Sequence, residues 1–188
     1  MEIKRNHYLN ILISKKNNGL IKVITGMRRC GKSYLLFTLF KEYLLKEGVD
    51  EKHIIEIAFD TFENKHLRDP YVLYPYLKEQ MKDESMYYVL LDEVQLLEDF
   101  ESILNSLIRM KNVDVYVTGS NARFLSKDVI TEFRGRGDEV HMYPLSFAEF
   151  MSVYKGAKQD GWNEYMFYGG IPLVLDFSTP DQKITFLK

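Results

Sequence analysis

The sequence predicts an α/β fold in which a parallel sheet of about five strands lies between layers of helices. Two observations lead to this fold class. Short, nearly continuous apolar segments, typical of parallel strands covered on both faces, alternate with amphipathic stretches of helical periodicity. The chain also has 188 residues, of which 46% are hydrophobic and 28% are charged, so it can form one well-packed domain and is short for two.

Five segments are predicted to be strands because each is short and apolar and ends at polar or turn-forming residues. They are residues 21–25, 53–59, 87–91, 113–118 and 139–143. Three crossover helices are expected between them, at residues 32–46, 70–81 and 100–110, since their apolar residues recur at helical spacing. Gly48 is expected to end the first of these helices.

The pattern changes at residue 146, so we expect a core at residues 1–145 and a small helical segment at residues 146–188. Ser146 and Glu149 have the spacing of a capping box that begins a short helix. A polar stretch at residues 156–161 and a turn at residues 169–172 follow. The helical pattern of residues 181–188 runs to the last residue, and we therefore expect a fragment of a longer protein.

Composition excludes several classes of protein. The net charge of −2 argues against a large basic surface for nucleic acid. Cys30 is the single cysteine, so no intrachain disulfide can form, and together with the absence of a signal peptide this favours the cytoplasm. The four histidines are scattered and indicate no metal cluster. The apolar stretches are far shorter than the about 20 residues that a membrane helix needs.

The strongest motif follows the first predicted strand and begins a helix. It is Gly26-Met27-Arg28-Arg29-Cys30-Gly31-Lys32-Ser33, a full match to the phosphate-binding pattern Gly-x-x-x-x-Gly-Lys-Ser/Thr. Glycines at both ends allow a tight turn whose N–H groups point at phosphate oxygens. Lys32 supplies a positive charge to the phosphates, and the Ser33 hydroxyl is a ligand for Mg²⁺. We predict that residues 26–33 and Tyr34 bind the nucleotide.

Three side chains within this motif leave alternatives open. Arg28 and Arg29 contact either the nucleotide or a partner domain, or they are simply solvated, which is the commoner arrangement for loop arginines. Cys30 lies beside a helix N-terminus and near Lys32, which should favour its thiolate. The alternative for Cys30 is a small side chain that fits the loop, and we favour that interpretation.

A second acidic site indicates hydrolysis as well as binding. The apolar segment 87–91 ends in Asp92 and Glu93, the arrangement known as Walker B. Asp92 would hold Mg²⁺ directly or through water, and Glu93 would act as the general base that polarises the attacking water. An exposed acid pair at a strand end is the alternative, but it is much less favoured after a phosphate-binding motif.

Further side chains near strand ends are weaker candidates, because ligands bind at the carboxyl ends of open α/β sheets. Ser120 and Asn121 follow segment 113–118 and could sense the γ-phosphate or orient water. Arg134 and Arg136 precede the last strand, and either could stabilise transition-state charge in cis or across a subunit boundary, or be solvated. Asp60 is a lesser candidate after segment 53–59.

Together these motifs resemble the bacterial and archaeal AAA-like ATPases of the additional-strand catalytic-glutamate division. The resemblance covers nearly the whole chain. It includes the Arg5-x-x-Tyr8-Leu9 segment, the phosphate loop with Cys30 in place of the more usual serine, and Leu91-Asp92-Glu93-Val94-Gln95 with its trailing glutamine. It continues through residues 118–121, 135–136 and 143–150 and closes with Tyr168-Gly169-Gly170-Ile171-Pro172.

The resemblance implies a sheet order of 5-1-4-3-2. It also implies specificity for ATP, which the sequence itself does not indicate because it contains no evident base-recognising motif. It also implies that typical members continue into a winged-helix-like segment and a nuclease-like C-terminal domain, so the absent domain, a protein partner or an oligomer are expected partners. DNA binding by a full-length protein is open but not indicated in this chain.

Three functions remain at this stage. The first is an Mg²⁺-dependent ATPase whose cycle drives conformational change in attached domains, with Glu93, Lys32, Asn121 and Arg136 as catalytic residues and Ser33 and Asp92 as metal ligands. The second is a nucleotide-dependent switch with little hydrolysis. The third, a small-molecule kinase, is distant because the Asp92-Glu93 strand end favours activation of water.

Overall fold

A computed structural model describes residues 3–120 and 135–188. Five parallel strands form one sheet: β1 (Ile21–Thr25), β2 (Ile54–Ala58), β3 (Tyr87–Asp92), β4 (Val113–Thr118) and β5 (Gly137–His141). Their order is β2-β3-β4-β1-β5, which is the predicted order counted from the other edge. The predicted fold class and strand order are therefore confirmed.

The strand bounds agree with prediction to within two residues at each end. The largest difference is β5, which begins at Gly137 rather than Glu139. Pairing with β1 explains this shift, because Ile21 lies opposite Gly137 and Thr25 lies opposite His141 over the full length of β1. The N–H of Met142 still donates to the Thr25 carbonyl at 2.8 Å before the chain leaves the sheet.

The crossover helices also form where their periodicity predicts them. The first, α2, runs without a break through Lys32–Tyr34, a π-helical turn at Leu35–Phe40 and Lys41–Lys46. The helices α3 (Pro70–Gln80) and α4 (Phe100–Leu107) follow β2 and β3. The helix α1 (Asn6–Ser14), which precedes β1, was not predicted.

The helices cover both faces of the sheet and produce two apolar cores. On one face, α3 and α4 pack with strand residues such as Val89 and Leu91. On the other face, α1 and α2 pack with the alternate residues Tyr88 and Leu90. Burial on both faces explains why the strands are almost continuously apolar.

The C-terminal segment adds three helices, α5 (Phe147–Met151), α6 (Lys158–Tyr168) and α7 (Pro180–Leu187). The predicted capping box is present, with Ser146 and Glu149 bonded to each other's backbone N–H groups. The polar stretch 156–161, however, enters helix α6. Gly161 is buried there, and a Cβ on it would lie 2.4 Å from Sδ of Met151, so the glycine permits close packing of α6 on α5.

A third, small apolar cluster joins the N-terminal segment to the start of the C-terminal segment, with Ile3 packed against Leu145 and Phe150. The segment 143–150 therefore packs against the N-terminal residues of the chain. Across the described ranges 3–120 and 135–188, no helix is both long and apolar enough to cross a bilayer.

Candidate nucleotide-binding site

The loop between β1 and α2 has the backbone conformation that a phosphate-binding turn requires. Gly26, Arg29 and Gly31 have φ values of 141°, 68° and 101°. Gly26 also has no room for a side chain, since a Cβ would lie 2.1 Å from the Met142 carbonyl oxygen. The two motif glycines are therefore required by backbone geometry and by close approach of the β5 end.

Lys32 lies inside this loop and is only 4% exposed. Its Nζ donates to the carbonyls of Gly26 and Met27 at 3.0 and 2.9 Å, so the charge is held over the loop entrance. The side chain thus lies where an anion on the loop's N–H groups would meet it. Ser33, the next residue, is exposed at the start of α2.

Asp92 ends β3 and faces Ser33 across the neighbouring elements. Oγ of Ser33 donates to Oδ2 of Asp92 at 2.8 Å, and the Thr118 hydroxyl donates to Oδ1. Asp92 is 4% exposed, and burial raises its pKa, with the Thr118 and Ser33 hydrogen bonds opposing that shift. The nearby charges of Glu93 and Asp60 raise the pKa further. A hydroxyl and a buried carboxylate in contact form a donor set that suits Mg²⁺.

Glu93 follows Asp92 in a left-handed backbone conformation, with φ of 53°. Its N–H donates to Oγ1 of Thr118 at 3.1 Å, which fixes the turn to the end of β4. Oγ of Ser120 lies 2.9 and 2.8 Å from the two carboxylate oxygens of Glu93, and the Gln95 amide donates to Oε2. The structure thus brings the predicted residues Asp92, Glu93 and Ser120 together.

A pocket of about 340 Å³ lies beside the phosphate loop, of a size typical of small-molecule sites. It lies between the loop, the N-terminal segment and the short helical turn Pro172–Asp176. Its lining residues are Ile3, Arg5, Arg29, Cys30, Gly31, Lys32, Ser33, Tyr34, Glu93, Leu145, Pro172, Leu173 and Asp176. Phosphate-binding groups at one end and apolar side chains at the other suit a nucleotide.

Arg5 forms the back of this pocket and is 2% exposed. Its Nη1 donates to the Cys30 carbonyl at 3.1 Å and its Nη2 to the Tyr143 carbonyl at 2.7 Å. Its Nε lies 2.9 Å from Oε1 of Glu149 in the geometry of an ion pair. Arg5 therefore connects the phosphate loop to the segment before α5, a contact that no local sequence pattern indicates.

Two side chains of the loop differ from simple expectation. Cys30 is fully buried, and burial raises the pKa of its thiol despite the opposing charges of Lys32 and Arg5. The expected thiolate is therefore wrong, while the small, well-fitting side chain agrees with the structure. Arg29 contacts α7, with its guanidinium 4.5 Å from the centre of the Phe186 ring. Arg28 is exposed.

The structure does not bring Arg136, one of the two arginines predicted to face the phosphates, to the loop. Arg136 precedes β5, and its carbonyl accepts from the N–H of Ile21 at the start of β1. Because β1 and β5 are parallel, Arg136 lies at the amino edge of the sheet, whereas the phosphate loop follows the carboxyl end. Its guanidinium donates to Asn105 at 3.1 Å. A role in cis is wrong for this arrangement; Asn121 and Arg134 lie outside the described residues.

Comparison with known families agrees with this geometry. The family model AAA_14, described as an AAA domain, matches residues 18–151. The chain belongs to this AAA domain family. The match supports an AAA-like P-loop ATPase domain, which is a nucleotide-binding fold, and the matched range includes residues 26–33.

Relatives of this AAA domain occur in bacteria and archaea. An uncharacterized protein of Haemophilus influenzae is 36% identical over 184 residues, covering 95% of this chain and 46% of the relative. The uncharacterized protein MJ1544 of Methanocaldococcus jannaschii is 27% identical over 184 residues, covering 89% of this chain and 39% of the relative. The AAA domain thus spans less than half the length of both relatives.

Among solved structures, the Walker-type ATPase PABY2304 of Pyrococcus abyssi matches the AAA domain with a TM-score of 0.62 at 18% identity. The match covers 93% of this chain and 65% of that chain. At this identity the likeness shows the fold alone, and it supports the P-loop architecture described above.

Proposed function

We propose that this AAA domain binds ATP with Mg²⁺ and hydrolyses it. One observation carries the proposal: the Ser33–Asp92 pair and the Glu93 carboxylate lie together at the mouth of the loop that holds Lys32. Binding alone requires the loop and a cation site. Hydrolysis also needs a general base for the attacking water. The Glu93 carboxylate, which lies beside the Ser33–Asp92 pair and accepts a hydrogen bond from Ser120, can supply that base.

Each residue has a defined part in the proposed reaction. The loop N–H groups and Lys32 would bind the β- and γ-phosphates, in place of the two carbonyls that Lys32 now contacts. Ser33 and Asp92 would hold Mg²⁺, which offsets phosphate charge and orients the γ-phosphoryl group when bound. Glu93 would accept a proton from the attacking water, while Ser120 holds the carboxylate in orientation.

The nucleoside would occupy the apolar end of the pocket, between Ile3, Leu145 and Leu173. Leu173 belongs to the C-terminal segment, so nucleotide occupancy would reach residues 146–188, which we propose to act as a helical lid. The cycle would then drive conformational change in attached domains. The relatives extend well beyond the matched region, so we propose that a C-terminal domain or a protein partner receives this conformational change. We also propose an oligomer, in which Arg136 would act in trans.

A nucleotide-dependent switch with little hydrolysis is the second candidate. It is favoured by the engagement of both Glu93 carboxylate oxygens, with Ser120 and with Gln95, since a base held by two donors is a weaker proton acceptor. The rate of turnover distinguishes the switch from the ATPase.

The test is steady-state Mg-ATP hydrolysis and ATP affinity of the wild type beside Glu93→Gln. We expect Glu93→Gln to bind ATP as the wild type does and to lose at least about 100-fold in turnover, because the variant keeps the shape and removes the base. Glu98→Gln is the matched control, since Glu98 is exposed and lies five residues further along the chain.

Binding without turnover in the wild type would support the switch. A second variant, Lys32→Ala, tests the binding half of the proposal, and Lys46→Ala at the exposed end of α2 is its control. Unchanged ATP affinity in Lys32→Ala would contradict the assignment of the phosphate loop.

A further inference from the structure

Gln95 lies two residues after Glu93, in the short helical turn Val94–Leu96 that follows β3. Its Nε2 donates a hydrogen bond to Oε2 of Glu93. The other end of the amide, Oε1, is buried and accepts no hydrogen bond from any residue in the ranges 3–120 and 135–188. One end of the Gln95 side chain therefore contacts the proposed catalytic base, and the other end is left as a buried acceptor beside it.

The turn itself does not depend on this side chain. Backbone hydrogen bonds from Leu96 to the Glu93 carbonyl and from Leu97 to the Val94 carbonyl, both 3.0 Å, close the turn. Val94 and Leu97 are buried in the apolar core and fix its position. The left-handed backbone at Glu93 folds the turn back, which places the side chain of the second following residue against the carboxylate.

The unpaired end of the amide shows that stability does not explain the position of Gln95. Burying a carbonyl oxygen without a donor is unfavourable, and buried amides in folded proteins are normally bonded at both ends. An apolar side chain of similar length would avoid this cost. The hydrogen bond to Glu93 accounts for the position of the side chain.

We propose that Gln95 is a positioning residue for ATP hydrolysis, an inference that rests on the ATPase function proposed above. Its amide N–H and the Ser120 hydroxyl hold the Glu93 carboxylate from two sides, which limits rotation of the side chain. Gln95 acts through Glu93, without contributing to the affinity for ATP.

The test is Gln95→Met, which keeps the length of the side chain and removes both the donor and the acceptor. Single-turnover hydrolysis and ATP affinity are measured on the full chain, with thermal unfolding to confirm that the variant folds. We expect the rate of hydrolysis to fall about 10- to 100-fold, the range for a misplaced catalytic group, with an unchanged Kd for ATP. Leu96→Met, in the same turn but half-exposed, is the matched control and keeps wild-type rates.

A double variant separates positioning from a general structural effect. If Gln95 acts through Glu93, adding Gln95→Met to Glu93→Gln lowers the residual rate no further. The inference is overturned if Gln95→Met lowers the rate of Glu93→Gln by the same factor as it lowers that of the wild type. It is also overturned if Gln95→Met alone leaves the rate unchanged or raises it, or if it weakens the affinity for ATP. Should Gln95→Met not fold, Gln95→Leu removes the donor without adding a charge beside Glu93 and is expected to lower the rate likewise.

The two proposals fail in different ways. A wild-type chain that binds ATP without hydrolysing it overturns the ATPase proposal together with this inference. If the wild type hydrolyses ATP and Gln95→Met does so at the same rate, only this inference is overturned, and Glu93 remains the proposed base.

Discussion

At the scale of single residues, Asp92, the proposed Mg²⁺ ligand, lies in a position that is unfavourable for the stability of the fold. Its carboxylate is 4% exposed and lies near the charges of Glu93 and Asp60. Burial raises the pKa of Asp92, so the folded protein holds this proton more tightly than the unfolded chain does. The contribution of Asp92 to stability is therefore lost as the pH rises from the ordinary carboxyl range through the raised pKa.

We predict that Asp92→Asn raises the free energy of unfolding of the nucleotide-free protein at pH 7 by about 1 kcal/mol, a common size for relief of an unfavourable site. The amide keeps the shape and one of the two acceptor oxygens while removing the buried charge. The same variant should lose the stabilisation that Mg-ATP gives the wild type. Urea denaturation with and without Mg-ATP measures both effects. A less stable Asp92→Asn would show that the hydrogen bonds from Ser33 and Thr118 outweigh burial of the charge.

Cys30 gives a second prediction at this scale. Its side chain is fully buried, and burial raises the pKa of the thiol, so both access and ionisation oppose its reaction with alkylating reagents. At pH 8 we expect the folded protein to react about 100-fold more slowly than the urea-unfolded chain, as for a group exposed only by local opening. Because Cys30 is the single cysteine, the rate of thiol labelling reports this site directly. Equal rates in the two states would show that the loop is open.

The residues of the site that sequence predicts are those within continuous motifs. Lys32 and Ser33 follow from a motif between a strand and a helix, and Asp92 and Glu93 follow from an apolar strand that ends in two acidic residues. Thr118 and Arg5 were missed as site residues, because their contacts depend on strand register and on chain segments far apart in sequence. Sequence can supply a residue type at such positions, but the partner is set by tertiary packing.

At the scale of elements, β1 and β4 are joined by a buried ion pair at their amino ends. Nζ of Lys22 and Oδ1 of Asp114 are in contact, and both residues are at most 3% exposed. Oδ2 of Asp114 accepts from the Asn17 N–H and the Tyr116 hydroxyl at 2.9 and 2.8 Å. Burial lowers the pKa of Lys22, while its bond to Asp114 opposes that shift.

We predict that Lys22→Met destabilises the protein by about 3–5 kcal/mol, because it leaves the Asp114 carboxylate buried without its cation. Adding Asp114→Asn should recover part of this loss, since the neutral amide no longer needs a counter-charge. Free energies of unfolding from urea titrations of the wild type, both single variants and the double variant give the coupling. Additive losses would mean that the two charges do not depend on each other.

The sequence predicts helices and strands well where the apolar periodicity is strong. It predicts them poorly where their bounds depend on tertiary contacts. Helices α2, α3 and α4 follow from their apolar spacing. The sequence marks residues 156–161 only as a polar stretch, because glycines and charged residues dominate it. Gly161 nevertheless lies within α6, where the absence of a side chain permits contact with Met151 and Tyr154. The bounds of β5 likewise follow from its register with β1 rather than from its own residues.

At the scale of the whole molecule, the pocket beside the phosphate loop is made from both ends of the chain. Ile3 and Arg5 come from the N-terminal segment, and Leu173 and Asp176 come from the turn between α6 and α7. Arg29 of the loop also contacts Phe186 of α7, where it donates to the carbonyl at 3.3 Å. A ligand that fills this pocket would therefore contact segments that are joined only through tertiary structure.

We predict that ATP slows hydrogen exchange in the turn Pro172–Asp176, far from the phosphate loop in sequence. At an ATP concentration of 100 times the Kd, binding stabilises the folded state by at most about 2.7 kcal/mol, which limits the slowing to about 100-fold. Amides of the remote strand β2 should change less, because β2 is at the far edge of the sheet. Lys32→Ala at the same ATP concentration should abolish the effect. Protection of the loop with no change at residues 173–176 would place the nucleoside outside this pocket and remove the proposed lid role of the C-terminal segment.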